Sequence, residues 1–183
     1  NERFSANLKA NRNLLQQVNE TSTGQFPFAV ILSCIDSRTS AELIFDQGLG
    51  DIFSVRVAGN VLNDDVIGSM EFACKLAGSK LIVILGHSAC GAVKGACAGV
   101  ELGHLTGLLN KIRPAVDRAK EAGTQTQDEL VQRAADFNVD HVVEGVLATS
   151  WVIKEMVDAG EVGIVGGMYS VKTGLVQFHD LIG

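Results

Sequence analysis

Proline is nearly missing from this chain, with two residues in 183 against 20 glycines, so turns are expected to be tight and a disordered linker is not expected. Aromatic residues are also scarce at 5%, with one Trp and one Tyr. Positive charge is in deficit, the net charge being −6, and no basic stripe occurs. Together these shortages argue against nucleic acid as a partner. No apolar run approaches the roughly 20 residues a membrane span needs, so no membrane is expected either. The longest runs, 28–32 and 81–85, have the length of buried strands. No signal peptide is visible, and the first residue is Asn rather than Met. The expectation is that something was removed upstream, which leaves the compartment unfixed: cytoplasm first, periplasm if the removed part was a leader.

Cysteine is sparse too, at positions 34, 74, 90 and 97. A chain 46% hydrophobic and of this length builds one core, a single domain over 1–183, without a disulfide framework. Cys74 and Cys97 lie in apolar helical patterns and read as small buried hydrophobes. Cys34 and Cys90 are flanked by polar, reactive groups.

What is present is an alternation of strand and helix patterns. Phe4, Leu8, Leu15 and Val18 at helical spacing predict an amphipathic helix over 3–19, within an N-terminal helical arm over 1–24. "FAVILS" (28–33), "IFSVRV" (52–57) and "KLIVIL" (80–85) read as strands. Helices are expected over 40–46, with Ser40 as N-cap, over 65–77, ended by Gly78, and from about 90. Two more are expected over 105–121 and 128–158, the second breaking near Thr149 or Ser150. "VGIVGGMYSV" (162–171) and "LVQFHD" (175–180) flank "KTG", a hairpin signal. The fold class is α/β: a mostly parallel central sheet of four strands plus an antiparallel C-terminal edge strand, flanked by helices. In such sheets ligands gather at the carboxyl ends of the strands.

Both reactive stretches follow strands. "AVILSCIDSR" (29–38) ends in Cys34, Asp36 and Arg38 at every second position, which share one side if the chain stays extended. "LIVILGHSACGAVKGA" (81–96) carries His87 and Cys90 three apart. Two thiolates and an imidazole form a set that zinc accepts with a fourth position left for water. Zinc brings the pKa of such a water from 15.7 towards roughly 7. Thiolates donate more charge than imidazoles, so weaker acidification and activity favouring alkaline pH are expected. Asp36 beside that water would orient it, and Arg38 would keep Asp36 ionised. Taken singly, Cys34 reads as a buried hydrophobe, Asp36 with Arg38 as a surface ion pair, and His87 as a bonded loop residue. Both motifs together, each after a buried strand, outweigh those readings. "GHSAC" (86–90) misses the nucleophile-elbow pattern at its last position. Arg38 stands four after Cys34 rather than the six of a phosphatase-type loop. His104, His141 and His179 have no metal-like spacing.

With "CIDSR", "GDIFSVRVAGN", "GHSACGAV" and "GIVGGMYSVKTGLVQF" in order, nearly the whole chain resembles the β-class carbonic anhydrases. The resemblance implies a zinc lyase, with one Zn²⁺ per chain, that interconverts carbon dioxide and bicarbonate. It implies Cys34, His87 and Cys90 as metal ligands and Asp36 with Arg38 as catalytic dyad. It further implies that Gly91 offers its N–H to substrate, that Gln25 bonds substrate, and that Phe53 and Ala58 line an apolar pocket at a dimer interface. Phe72 stands where many members have a pocket tyrosine, and "RVAGN" (56–60) replaces the usual "RNVAN". The family's unit is a homodimer, often doubled to a dimer of dimers. Ile31 stands where the bicarbonate-regulated subset has Trp, so water rather than Asp36 is expected on the metal near neutral pH. Two other readings compete with a zinc lyase. One is a cysteine-nucleophile hydrolase or acyltransferase using Cys34 or Cys90 with His87. The other is a non-catalytic relative that binds bicarbonate or a partner.

Overall fold

The computed structural model describes residues 1–183. Its centre is a five-stranded sheet of β1 (Ala29–Ser33), β2 (Ile52–Arg56), β3 (Leu81–His87), β4 (Gly163–Tyr169) and β5 (Val176–Phe178), in the spatial order β2-β1-β3-β4-β5. The first four are parallel and β5 runs antiparallel on the edge, as the sequence implied. β1 lies between two neighbours and is buried at all five positions, which is why it reads as a continuous apolar run. β2 is the outer strand and is half exposed.

The two faces of the sheet carry different cores, set by the period of two. Val30, Leu32, Ile82, Ile84 and Ile164 point into the larger one. It is covered by α4 (Asp64–Glu71), α8 (Gln127–Thr149) and α9 (Trp151–Asp158). Ile31, Val83, Leu85 and Val165 point the other way, towards α3 (Ala41–Ile44) and the N-terminal Phe4. A cavity of about 420 Å³ lined by Phe28, Ile31, Phe45 and Val83 opens on that thinner side. α8 lies close on β3 and β4: a Cβ at Gly86 or Gly166 would come 2.5 or 2.6 Å from a methyl of Val139, so only glycine admits the helix there.

Local signals set the boundaries. α8 starts on a capping box of Thr126 and Glu129 and stops at Ser150, whose hydroxyl caps α9 by accepting from Ile153 N–H (3.1 Å). The break falls where the sequence placed it. The stretch 105–121 is two helices, α6 (Gly103–Asn110) and α7 (Arg113–Glu121), because Pro114 fits only a helix's first turn. The helix after Asn63 is α-helical only to Glu71; over Phe72–Leu76 it widens to a π turn, with Ala77 N–H reaching the Phe72 carbonyl (3.0 Å), before Gly78 ends it at φ +84°. Ser40 stands at the N-cap of α3, but its hydroxyl bonds Glu42 rather than the backbone.

The single helix expected over 3–19 is absent. The arm holds two short helices, α1 (Glu2–Ser5) and α2 (Leu14–Glu20), with Asn7 left-handed after the first (φ +56°). Leu8, Leu15 and Val18 are exposed, because no surface of the same chain lies under them. Polar contacts tie the arm down instead. Asp46 accepts from the Ala10 N–H (2.9 Å), from Arg12 (2.6 Å) and from Arg3. Asn1 bonds the carbonyls of Ile44 and Gly174.

Candidate metal centre

The order β2-β1-β3-β4 means that the chain leaves β1 in one direction and β3 in the other. The crevice lies between the carboxyl ends of these two neighbours, which is where such sheets hold ligands. Cys34 is the first residue past β1, and His87 is the last of β3. Cys90 arrives three residues later as the N-cap of α5 (Gly91–Cys97), after Ala89 turns the chain at φ +55°.

The three ligand atoms of Cys34, His87 and Cys90 lie within 4.8 Å of one another, and all three residues are buried. Cys34 Sγ and Cys90 Sγ are 4.0 Å apart. A disulfide needs about 2.05 Å. Two arms of about 2.3 Å at a tetrahedral angle span roughly 3.8 Å, so the spacing fits a shared cation. His87 Nδ1 faces the Ser88 carbonyl at 3.0 Å; a carbonyl only accepts, so Nδ1 carries the proton and Nε2 keeps its lone pair. Nε2 is buried with no partner in the chain, the state of a ligand nitrogen. The donor set and the orphaned nitrogen both fit zinc.

The sulfurs are not equivalent. The Cys34 thiol is pulled below the usual thiol range, first by the hydrogen bond with Cys90, then by His87 and by the N–H of Gly59. Cys90 is pushed up by that same bond and by burial, while the amides of Val93 and Ala92 act the other way. A cation held between the two sulfurs would displace their protons.

Asp36 sits beside this set. Its Oδ2 is 4.0 Å from His87 Nε2, and both carboxylate oxygens are gripped by Arg38 at 2.9 and 2.7 Å. The guanidinium holds the Asp36 carboxyl well below the usual carboxylate range. The route to this pairing differs from the alternation expected for 34, 36 and 38. β1 ends at Ser33, and Arg38 comes back through a turn closed by Thr39 N–H to the Asp36 carbonyl (3.0 Å). Arg38 N–H also donates to Asp36 Oδ1 (3.0 Å).

The sequence profile described as carbonic anhydrase matches residues 29–176. Carbonic anhydrase 2 of Mycobacterium tuberculosis is 41% identical over 167 residues, covering 88% of this chain and 79% of that protein. The carbonic anhydrase of Mycolicibacterium smegmatis is 36% identical over 167 residues, covering 87% and 78%. The crystal structure of the β-carbonic anhydrase CafA of Aspergillus fumigatus superposes with a TM-score of 0.82 at 29% identity, covering 91% of this chain and 81% of that one. The chain belongs to the β-class carbonic anhydrases.

It is therefore an enzyme, a lyase of the carbonate dehydratase type. In this carbonic anhydrase two of the expected substrate residues stand at the metal centre. Ala58 opens the turn Ala58–Asn60, whose Gly59 N–H reaches Cys34 Sγ (3.3 Å), and Gly91 follows Cys90. Three others do not. Phe53 pairs in register with Val30, four residues before Cys34 and so about 13 Å down the strand. It packs edge-on against Phe72 (centroids 6.1 Å apart). Gln25 is exposed ahead of β1, at the opposite edge of the sheet from the metal centre.

Several residues that hold the site were not singled out from sequence. Arg56 at the end of β2 donates to the carbonyls of Cys34 (3.0 Å) and Asp36 (2.7 Å). The single Thr39 hydroxyl proton lies within reach of the same two carbonyls, nearer that of Asp36 (2.9 Å) than that of Cys34 (3.2 Å). Ser88 accepts from Val171 N–H. Asn138 donates to the Gly59 carbonyl. Two signals were there to be read: Arg56 ends a strand at the ligand edge, and Asn138 interrupts the apolar stripe of α8.

Proposed function

We propose that this carbonic anhydrase binds one Zn²⁺ through Cys34, His87 and Cys90 and catalyses the reversible hydration of carbon dioxide to bicarbonate and a proton. The observation that carries the proposal is the convergence of two sulfurs and an unpartnered imidazole nitrogen beside a clamped carboxylate. Zinc, when bound, supplies a Lewis acid that brings a water towards deprotonation near neutrality and polarises an oxygen of the substrate.

The chain's own residues do the rest. Asp36 has no proton to give at working pH, so it only accepts. It takes the hydrogen bond of the attacking oxygen and thereby fixes the direction of that oxygen's lone pair. Arg38 prevents Asp36 from rotating towards the sulfurs, because both carboxylate oxygens are already engaged. That supports a site open to water rather than closed by Asp36. Carbon dioxide carries no charge and needs only a small apolar slot, for which Ala58 is a wall. The Gly91 amide, which opens α5, would donate to the developing bicarbonate.

The unit we infer is a homodimer, or a dimer of such dimers. Phe26, Phe28, Phe72, Leu76 and Trp151 are exposed, and β2 leaves a strand edge unpaired. A second copy docked there would cover them and bring its Gln25, Phe53 and Phe72 towards a neighbouring substrate slot. The structure of tetrameric β-carbonic anhydrases from Sordaria macrospora has this fold, with a TM-score of 0.80 at 22% identity. No helix is long and apolar enough to cross a membrane.

Stopped-flow carbon dioxide hydration across pH 7 to 9 on metal-quantified protein tests the proposal. Activity should follow zinc content, vanish on chelation, return on reloading and rise with pH. Full activity in metal-free protein, lost on alkylating one cysteine, would instead identify a cysteine nucleophile.

A further inference from the structure

We infer that Asn138 is a positioning residue for the ligand sulfur of Cys34 and acts on it through Gly59. The inference rests on the reading of Cys34 as a metal ligand. Asn138 lies in the middle of α8, 1% exposed, with Ala134, Ala135, Val139 and Val142 buried around it on the same helix. An amide in such a place is costly unless it is bonded. Its Nδ2 donates to the carbonyl of Gly59 at 2.9 Å, across 79 residues of sequence. Gly59 in turn donates its own N–H to Cys34 Sγ at 3.3 Å. One residue thus carries the helix's hydrogen bond on one side and the sulfur's on the other.

The turn that contains Gly59 does not hold this shape unaided. Gly59 (φ +67°) and Asn60 (φ +43°) are left-handed in succession, which L-residues disfavour. A Cβ at Gly59 would come 2.6 Å from Ile112 Cδ1 and 3.2 Å from Ala92 Cβ, so side chains pack closely on one flank of the turn and leave no room for a residue larger than glycine. Asn138 restrains it from the other. Without that donor the Gly59 carbonyl is left buried and unbonded, the turn relaxes, and the N–H leaves the sulfur. A sulfur without its N–H bond is more electron-rich and less well aimed. Partners that orient metal ligands in this way typically govern metal affinity by about 10- to 100-fold.

The test compares the whole protein with N138L, which keeps the branching at Cγ, adds some volume and removes the donor. V146A serves as packing control, because Val146 is fully buried in the same helix, eight residues further on, and belongs to the larger core rather than to the metal centre. Cobalt(II) loading gives the readout. N138L should bind cobalt about 10- to 100-fold more weakly and move the sulfur-to-cobalt charge-transfer band to longer wavelength. V146A should lose thermal stability with affinity and band unchanged. N138L that matches the parent in affinity and band overturns the inference, whatever its stability. Should N138L not fold, the wild type loaded with ¹¹³Cd and the smaller variant N138A, which also lacks the donor, decide it. A scalar coupling between the Gly59 amide proton and the cadmium, weakened in N138A, supports the link. No coupling, or one unchanged in N138A, refutes it. A parent protein that binds no cobalt at all removes the metal centre itself, a failure distinct from these.

Discussion

Asp36 and Gly59 illustrate how single residues bear on the chemistry. Asp36→Asn keeps the shape of the side chain but offers an N–H where the carboxylate accepted, and it breaks the charge pairing with Arg38. Zinc content should stay at one per chain while turnover falls by about 100-fold or more, measured by stopped flow on metal-quantified protein. Because Arg38 keeps the Asp36 carboxyl ionised far below neutrality, the rise in rate between pH 7 and 9 reports another group, and the profile should stay featureless where an ordinary carboxylate titrates. Gly59→Ala adds a methyl at a left-handed position against Ile112. It should cost about 1–3 kcal/mol in denaturant melts and weaken metal binding at the same time. Cys34, His87 and Cys90 were legible in the sequence because Cys34 directly follows a buried strand, His87 ends another, and Cys90 comes three residues after it. Arg56 and Asn138 stood out only as a charge at a strand end and a polar break in an apolar stripe; their partners were not legible, because the bonds cross 22 and 79 residues and no local pattern records which carbonyl a distant side chain will meet.

The elements show where periodicity suffices and where it does not. The strands and the break at Ser150 were readable because each depends on local chemistry: a run of β-formers, or a hydroxyl ahead of a helix. Ser150 also donates to Glu71 (2.6 Å), so Ser150→Ala removes both a cap and a tie between α4 and α9. A loss of about 1–2 kcal/mol is expected by urea denaturation, with metal content unchanged. The arm was misread because helical spacing of apolar residues reports only that a surface is wanted, not that the same chain supplies it. What fixes the arm is charge. Asp46 is held below its ordinary 3.8, first by Arg3 and then by Arg12. A depressed carboxyl contributes to docking above its unfolded value and loses that contribution as pH falls through the folded one. The arm should therefore stay docked at neutral pH and loosen only below about pH 4. Asp46→Asn should release it at neutral pH, seen as rapid proteolysis within residues 1–13 while the thermal melt of the body stays in place.

At the scale of the whole molecule, the sheet order places β1 and β3 side by side with their crossovers diverging, and the metal centre follows from that topology. The same molecule leaves Phe26, Leu76 and Trp151 uncovered and holds Gln25 and Phe53 away from its own metal centre. Those facts fit the assembly we infer, which a single chain's sequence registers only as apolar residues without a home. Sedimentation should accordingly find dimers or their multiples. The most direct measurement is zinc K-edge X-ray absorption on the purified protein with metal quantified per chain. The account predicts close to one zinc, with two sulfur scatterers at about 2.3 Å and lighter donors near 2.0 Å. Protein that is active in carbon dioxide hydration yet holds no zinc, or holds it without sulfur, would contradict it.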